Sequence, residues 1–188
     1  MKLPSLKHKY KVDLIPFGGI EISKNTIAWP PDMSFLMNVA GYGDALAASV
    51  QVEVSPGLII NIASLPGIAI LKIFAWSDRG HEDPKDAIDF AFLTKCYNEA
   101  GQLERIYEEA TEALEEVDYD VELAGAWLLG KDAAAMASLQ TKSELEGLLK
   151  GTKMEHLTVD MARAMLGKED GLEYSRRLLN QFTIGFMA

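Results

Sequence analysis

An α+β fold is predicted, with a small mixed sheet and packed helices followed by a C-terminal helical bundle. Three observations on this 188-residue sequence carry that expectation. Runs rich in β-formers, punctuated by Gly and Pro, occupy Tyr10 to Ala63. A helix, a short charged loop and a second helix then follow from Ser64. From Gln102 onward every segment has helical periodicity, with glycines placed as stops. The change of character near Gly101 divides the chain into residues 1–100, an α/β part, and residues 101–188, a helical part.

In order along the chain, Tyr10 to Phe17 reads as a strand through Val12, Leu14 and Ile15. Asp13 lies in its middle, where an aspartate is disfavoured and needs a partner, a solvated face or a task. Glu21 to Trp29 returns as a second extended segment, and Trp29-Pro30-Pro31-Asp32 breaks it. Asp44 caps a short helix from Ala45 to Ser49. Gln51 to Val54 and Leu58 to Ala63 form a hairpin around Pro56-Gly57.

The most informative stretch runs from Ser64 to Phe92. Ser64 is an N-cap, Pro66 suits a first turn, and Gly80 ends the helix. Ile68, Leu71, Phe74 and Ala75 form the expected core stripe. Lys72, Trp76 and Arg79 fall at i, i+4 and i+7 and share a second face. Asp83 caps the next helix with Pro84 at its first position, and Asp86 and Asp89 are i, i+3 neighbours. The helices are expected over Pro66–Asp78 and Pro84–Asn98. Their charged groups form either a salt-bridged hairpin or a ligand surface.

In the C-terminal half, Leu103 to Val117 reads as one amphipathic helix. Val121 to Leu129 reads as a short apolar helix stopped by Gly130. Thr141-Lys142-Ser143-Glu144 matches a capping box, and Leu157 to Leu166 and Leu172 to Phe182 complete the bundle. Asp118-Tyr119-Asp120 reads as a helix-start charge cluster.

Composition narrows the function classes. Hydrophobic residues make up 48% of the chain, ample for a packed core. No apolar run has the length of a membrane span, and the N-terminus carries no signal-peptide core. The single Cys96 forms no internal disulfide, so a cytoplasmic location is expected. Three scattered histidines argue against a structural zinc site. The net charge is −10, and Glu99 to Glu122 holds ten acidic residues against Arg105 alone. That face repels nucleic acid, and no DNA partner is expected. Any polyanion should approach the lysine-bearing N-terminal half.

Four blocks then carry a resemblance: KVDLIPFGGIE (Lys11 to Glu21), TIAWPPD (Thr26 to Asp32), ASLPGIAILKIFAWSDR (Ala63 to Arg79) and KDAIDFAFL (Lys85 to Leu93). Together they resemble a family of predicted bacterial nucleotidyltransferases, similar to the AbiEii-type toxins of type IV toxin–antitoxin systems and belonging to the polymerase-β-like superfamily. The resemblance implies a partial nucleotidyltransferase-like sheet and transfer of a nucleotide from a nucleoside triphosphate to RNA or protein. It also implies Mg²⁺ as cofactor, since two such ions clamp the attacking and leaving oxygens. Asp13 matches the family's third metal-binding carboxylate. Lys72 matches the lysine that faces triphosphate. Trp76 and Arg79 fall on the nucleotide-binding side, and Asp86, with Asp89 near it, matches the acidic position that follows and orients Lys72 or Arg79. The implied catalytic set is Asp13, Lys72 and Asp86.

The sequence departs from the family at one place. It contains no Gly-Ser dipeptide, and its one Asp-x-Asp is Asp118-Tyr119-Asp120, in the helical half. The strands bearing the family's glycine turn and first two metal ligands are expected to precede Met1. Asp13 alone does not place two ions, so weak or absent catalysis is expected of this chain by itself. A homodimer or a partner chain completing the sheet is expected at the open edge. Two other readings stay open: a catalytically inactive derivative that binds a nucleotide or a partner, and a helical protein-interaction module. The Lys72, Trp76, Arg79, Asp86 and Asp89 side chains are expected on one surface, open toward Asp13.

Overall fold

The computed structural model describes residues 14–29, 31–80, 82–165 and 170–188. The chain divides into two compact units, Met1–Val39 and Ala40–Ala188.

In the first unit, β1 (Thr26–Trp29) pairs antiparallel with β2 (Phe35–Asn38), Thr26 opposite Asn38 and Trp29 opposite Phe35. Asn25 enters β1 in the left-handed region (φ 55°), its N–H donating to Glu21 Oε2 at 3.1 Å. The strand expected over Tyr10–Phe17 is not found in its described part. Leu14 to Phe17 are in no strand, Leu14 is exposed, and Tyr10 to Asp13 lie outside the described residues.

The second unit opens with α1 (Tyr42–Ala47), which starts before Asp44 rather than after it. Next come β3 (Val50–Ser55) and β4 (Leu58–Ile62), paired as expected around Pro56-Gly57, with a register shift between Glu53 and Ser55. Gly57 takes the left-handed conformation the turn needs (φ 78°), and its N–H donates to Glu53 Oε1 at 2.9 Å. The expected single mixed sheet is therefore corrected. Among the described residues there are two separate two-stranded antiparallel sheets, each a pair of chain neighbours.

The helix pair follows the sequence closely. Ser64 Oγ accepts the Gly67 N–H at the head of α2 (Leu65–Arg79), Pro66 lies in the first turn, and Gly80 closes the helix. The core stripe is turned from the expected one: Ala69, Ile70, Ile73 and Phe74 are buried, while Ile68, Leu71 and Ala75 are half-buried. α3 (Lys85–Cys96) has Pro84 at its N-cap, and Asp83 Oδ1 accepts the Lys85 N–H. Ala87, Phe90 and Ala91 face the core, and Phe92 is exposed.

Beyond Tyr97 the expected elements change in detail. Leu103–Val117 is not one helix but α4 (Leu103–Glu109) and α5 (Thr111–Glu116), broken at Ala110 (φ −124°). The Thr111 hydroxyl donates to the Tyr107 carbonyl, a side-chain bond that competes with continued helix. α6 (Val121–Met136) runs straight through Gly130, which is not a stop. α7 (Leu139–Leu148) is capped by Ser138, whose Oγ accepts the Thr141 N–H, so the cap lies three residues before the expected box. α8 (Gly151–Met161) passes into a 3₁₀ turn at Ala162–Met165, and α9 (Gly171–Met187) ends the chain. Gly167 lies outside the described residues.

α6 is the central helix of this unit. It buries Leu123, Ala126, Leu128, Leu129 and Ala133 and is apolar nearly all round, as a helix surrounded by others must be. α2 and α3, from before Gly101, pack on it together with α4, α5 and α9. The reason Gly130 sits inside α6 is the crossing with α9. A methyl group on Gly130 would lie 2.0 Å from the Phe182 carbonyl oxygen, and one on Gly185 would lie 1.9 Å from that of Trp127. Two backbones meet there, and only glycine admits the approach. Phe182 then stands edge-on to Phe90 at 5.0 Å between ring centres, joining α9 to α3. No helix among the described residues is long and apolar enough to cross a membrane.

Candidate functional site

The α2–α3 hairpin brings four charged side chains together. Its loop is short, so the helices are close neighbours. Asp86 stands in the first turn of α3, where a carboxylate favours the helix dipole, and its side chain is only 1% exposed. Its two oxygens are divided between two cations of α2. Lys72 Nζ donates to Oδ1 at 2.9 Å, and Arg79 Nε donates to Oδ2 at 2.8 Å. Lys72 also donates to Asp89 Oδ2 at 2.5 Å, and Asp89 is half exposed. The seven-residue interval between Lys72 and Arg79 is two helical turns, so one buried carboxylate spans both.

The electrostatics follow from this arrangement. Burial pushes the Asp86 carboxyl up, but hydrogen bonds from Arg79 and Lys72 outweigh it and hold the group below the usual carboxylate range. Burial works against the Lys72 ammonium, and its bonds to Asp89 and Asp86 reverse this and raise it. The hydrogen bond to Asp86 raises Arg79. Tyr42 of α1 feels both Arg79 and Asp86, and burial raises its phenol. Asp86 accepts from both cations, where orientation of Lys72 or Arg79 was the expectation. The bond to Asp86 leaves the two terminal nitrogens of Arg79 outside it, with the side chain 48% exposed, while Lys72 is 27% exposed. The group can therefore present donors to an anion, Arg79 as a fork and Lys72 as a point charge.

Trp76 takes a different direction. Its indole N–H donates to Asp160 Oδ2 on α8 at 3.0 Å, and its ring is buried. It lines an open cleft of about 410 Å³ with Lys153, His156, Asp160 and Arg163. A buried ring offers little face to a ligand, so Trp76, expected on the nucleotide-binding side, presents only an edge there. Asp13 lies outside the described residues, and so does the expected opening of the cluster toward it.

Asp86 and Asp89 fit Mg²⁺ poorly as ligands, because Lys72 and Arg79 occupy them. Among the described residues no group of three or more His, Cys, Asp or Glu side chains is placed to hold a metal. Asp118-Tyr119-Asp120 is a helix start: Asp120 Oδ1 accepts the N–H groups of Glu122 and Leu123 and caps α6.

Sequence reading missed two polar partnerships. Asp160 stands 84 positions from Trp76, with no local signal linking them. Asp132 of α6 accepts a bidentate pair from Arg105 at 2.8 Å each, and the Tyr97 hydroxyl at 2.6 Å. Burial, then the bond to Asp132, raises the Tyr97 phenol. This second network ties α4 to the central helix. No family model matches the chain, nor does any curated protein or solved structure.

Proposed function

We infer that this chain is a nucleotidyltransferase-family protein whose α2–α3 hairpin binds the triphosphate of a nucleotide. The supporting observation is Asp86, a buried carboxylate that fixes Lys72 and Arg79 side by side at 2.9 and 2.8 Å. Two cations held this way need no reordering to meet phosphate oxygens. Asp89, the exposed partner of Lys72, is the group a triphosphate displaces; Asp86 stays in place beneath. The family reaction passes the nucleotide to RNA or protein, toxin–antitoxin chemistry included among its uses. Lys72 and Arg79 occupy Asp86 and Asp89, and binding is the function proposed for this chain by itself.

Labelled nucleoside triphosphate, Mg²⁺ and RNA or protein acceptors test this reading. Retention of the nucleotide without robust transfer is expected. Turnover abolished by Asp13→Asn would show that the chain carries a complete centre after all.

A second reading is favoured by the mutual neutralisation of the cluster, two cations against two aspartates. In it the four residues lock α2 to α3, and the chain is a catalytically inactive, partner-binding derivative. Loss of stability in Lys72→Ala with no nucleotide bound by the wild type would select it.

A further inference from the structure

The β3–β4 hairpin has one face made of apolar side chains, with Ser55 opposite Leu58 at its turn end. Residues opposite each other in an antiparallel pair share a face. Val50 pairs with Ile62 and Val52 with Ile60, and alternation along β4 adds Leu58. All five are between 37% and 53% exposed. The other face carries Gln51, Glu53 and Asn61 beside Ile59. The alternation that buries one side of a sheet is therefore present, but among the described residues of the second unit none covers that side. A two-stranded ribbon is marginal in water without such cover.

We propose that this face is the contact surface of a homodimer, in which two hairpins pack face to face about a two-fold axis. The charge pattern favours a second copy over other occupants. Glu53 is the only charged residue from Val50 to Ile62, and it lies on the opposite face. The apolar face holds no charge that would select a basic partner, and its one hydroxyl, Ser55 opposite Leu58, stands at the turn end. It is complementary to itself, as an isologous contact requires. The net charge of −10 is unsuited to an anionic lipid surface, yet two copies can meet at this face without opposing charges in the contact. The exposed apolar side chains amount to on the order of 400 Å² per copy, roughly 800 Å² for the pair, which belongs with weak, reversible interfaces rather than permanent ones. The contact differs from pairing at an open strand edge, because it uses side chains rather than backbone groups. It does not depend on nucleotide binding at the α2–α3 hairpin.

Sedimentation velocity of the full chain from about 1 to 500 µM tests the proposal. A reversible monomer–dimer equilibrium in the micromolar range is expected. Ile60→Lys should weaken it at least tenfold, and Gln51→Lys should leave it unchanged. Circular dichroism checks that the variants keep the wild-type fold. If Ile60→Lys fails to fold, cross-linking decides instead: in a Cys96→Ser background, Val52→Cys should oxidise to a disulfide-linked dimer and Gln51→Cys should not. A strict monomer at the highest concentration overturns the proposal, as does equal dimerisation of folded Ile60→Lys, or equal cross-linking at positions 51 and 52.

Discussion

Lys72 of α2 and Asp86 of α3 are joined across 2.9 Å, and the carboxylate is 1% exposed while the ammonium remains partly in water. The inequality sets what each residue does. Asp86 is the anchor, held from two sides. Lys72 is the reporting end, with a second, exposed partner that can be exchanged.

The first expected outcome concerns stability. Removing Asp86 leaves Lys72 its bond to Asp89 and takes from Arg79 the carboxylate its Nε donates to. A fully buried pair broken this way loses about 3–5 kcal/mol, but the two cations here are partly hydrated. Asp86→Ala should therefore cost about 2 kcal/mol, and Asp89→Asn less than about 1 kcal/mol. Urea unfolding at pH 7 reads both. Equal effects would place the anchor elsewhere.

The pH dependence follows from the same carboxylate. The folded Asp86 titrates below its ordinary value of 3.8, so the folded state binds the proton more weakly than the unfolded chain. Its contribution is fully present above about 3.8 and is lost as pH falls through the lower folded value. Lys72 is raised above 10.5, so its contribution is lost only as pH rises beyond that. Arg79 and Tyr42 face the same carboxylate. The acid limb of a melting-temperature profile should be shallower below pH 4 in Asp86→Asn than in the wild type. An unchanged acid limb would mean that Asp86 does not drive it.

The helix crossing gives a sharper expectation. Gly130→Ala and Gly185→Ala each push a methyl group into a backbone carbonyl of the facing helix, and each should lose about 3 kcal/mol or unfold the protein. Gly147→Ala, in α7 with nothing within 4 Å of the added methyl, should gain about 0.5–1 kcal/mol through helix propensity. Thermal melts of the three variants compare them directly. Tolerance of alanine at position 130 would contradict the crossing.

Gly130 also shows where the sequence stops being readable. A glycine after an apolar helical run signals a C-cap and a close helix crossing alike, and only the partner helix, some fifty residues later, separates the two. Caps and turns use neighbouring residues, which is why Ser64, Gly80, Asp120 and Pro56-Gly57 were legible. The cluster of Lys72 and Arg79 with Asp86 and Asp89 was legible because helical spacing and a short loop are also local facts. The rotation of the α2 core stripe was not, since Ala69 and Ile70 are chosen by what packs on them. Neither was Asp160 under Trp76 or Asp132 under Tyr97, since each contact joins distant segments. The first strand was expected from β-propensity at Val12, Leu14 and Ile15, but Leu14 to Phe17, its described part, find no pairing partner among the described residues.

The central claim is that Lys72 and Arg79 meet the phosphates of a nucleotide. Calorimetric titration of the full chain with ATP and Mg²⁺ measures it most directly, with Lys72→Ala and Arg79→Ala alongside and their melting temperatures recorded. The expected result is binding by the wild type that weakens about tenfold in each variant, the loss of roughly one charge-assisted contact, while both variants stay folded. Absence of binding in the wild type, or binding unchanged in both variants, contradicts the claim and leaves the cluster as a lock between two helices.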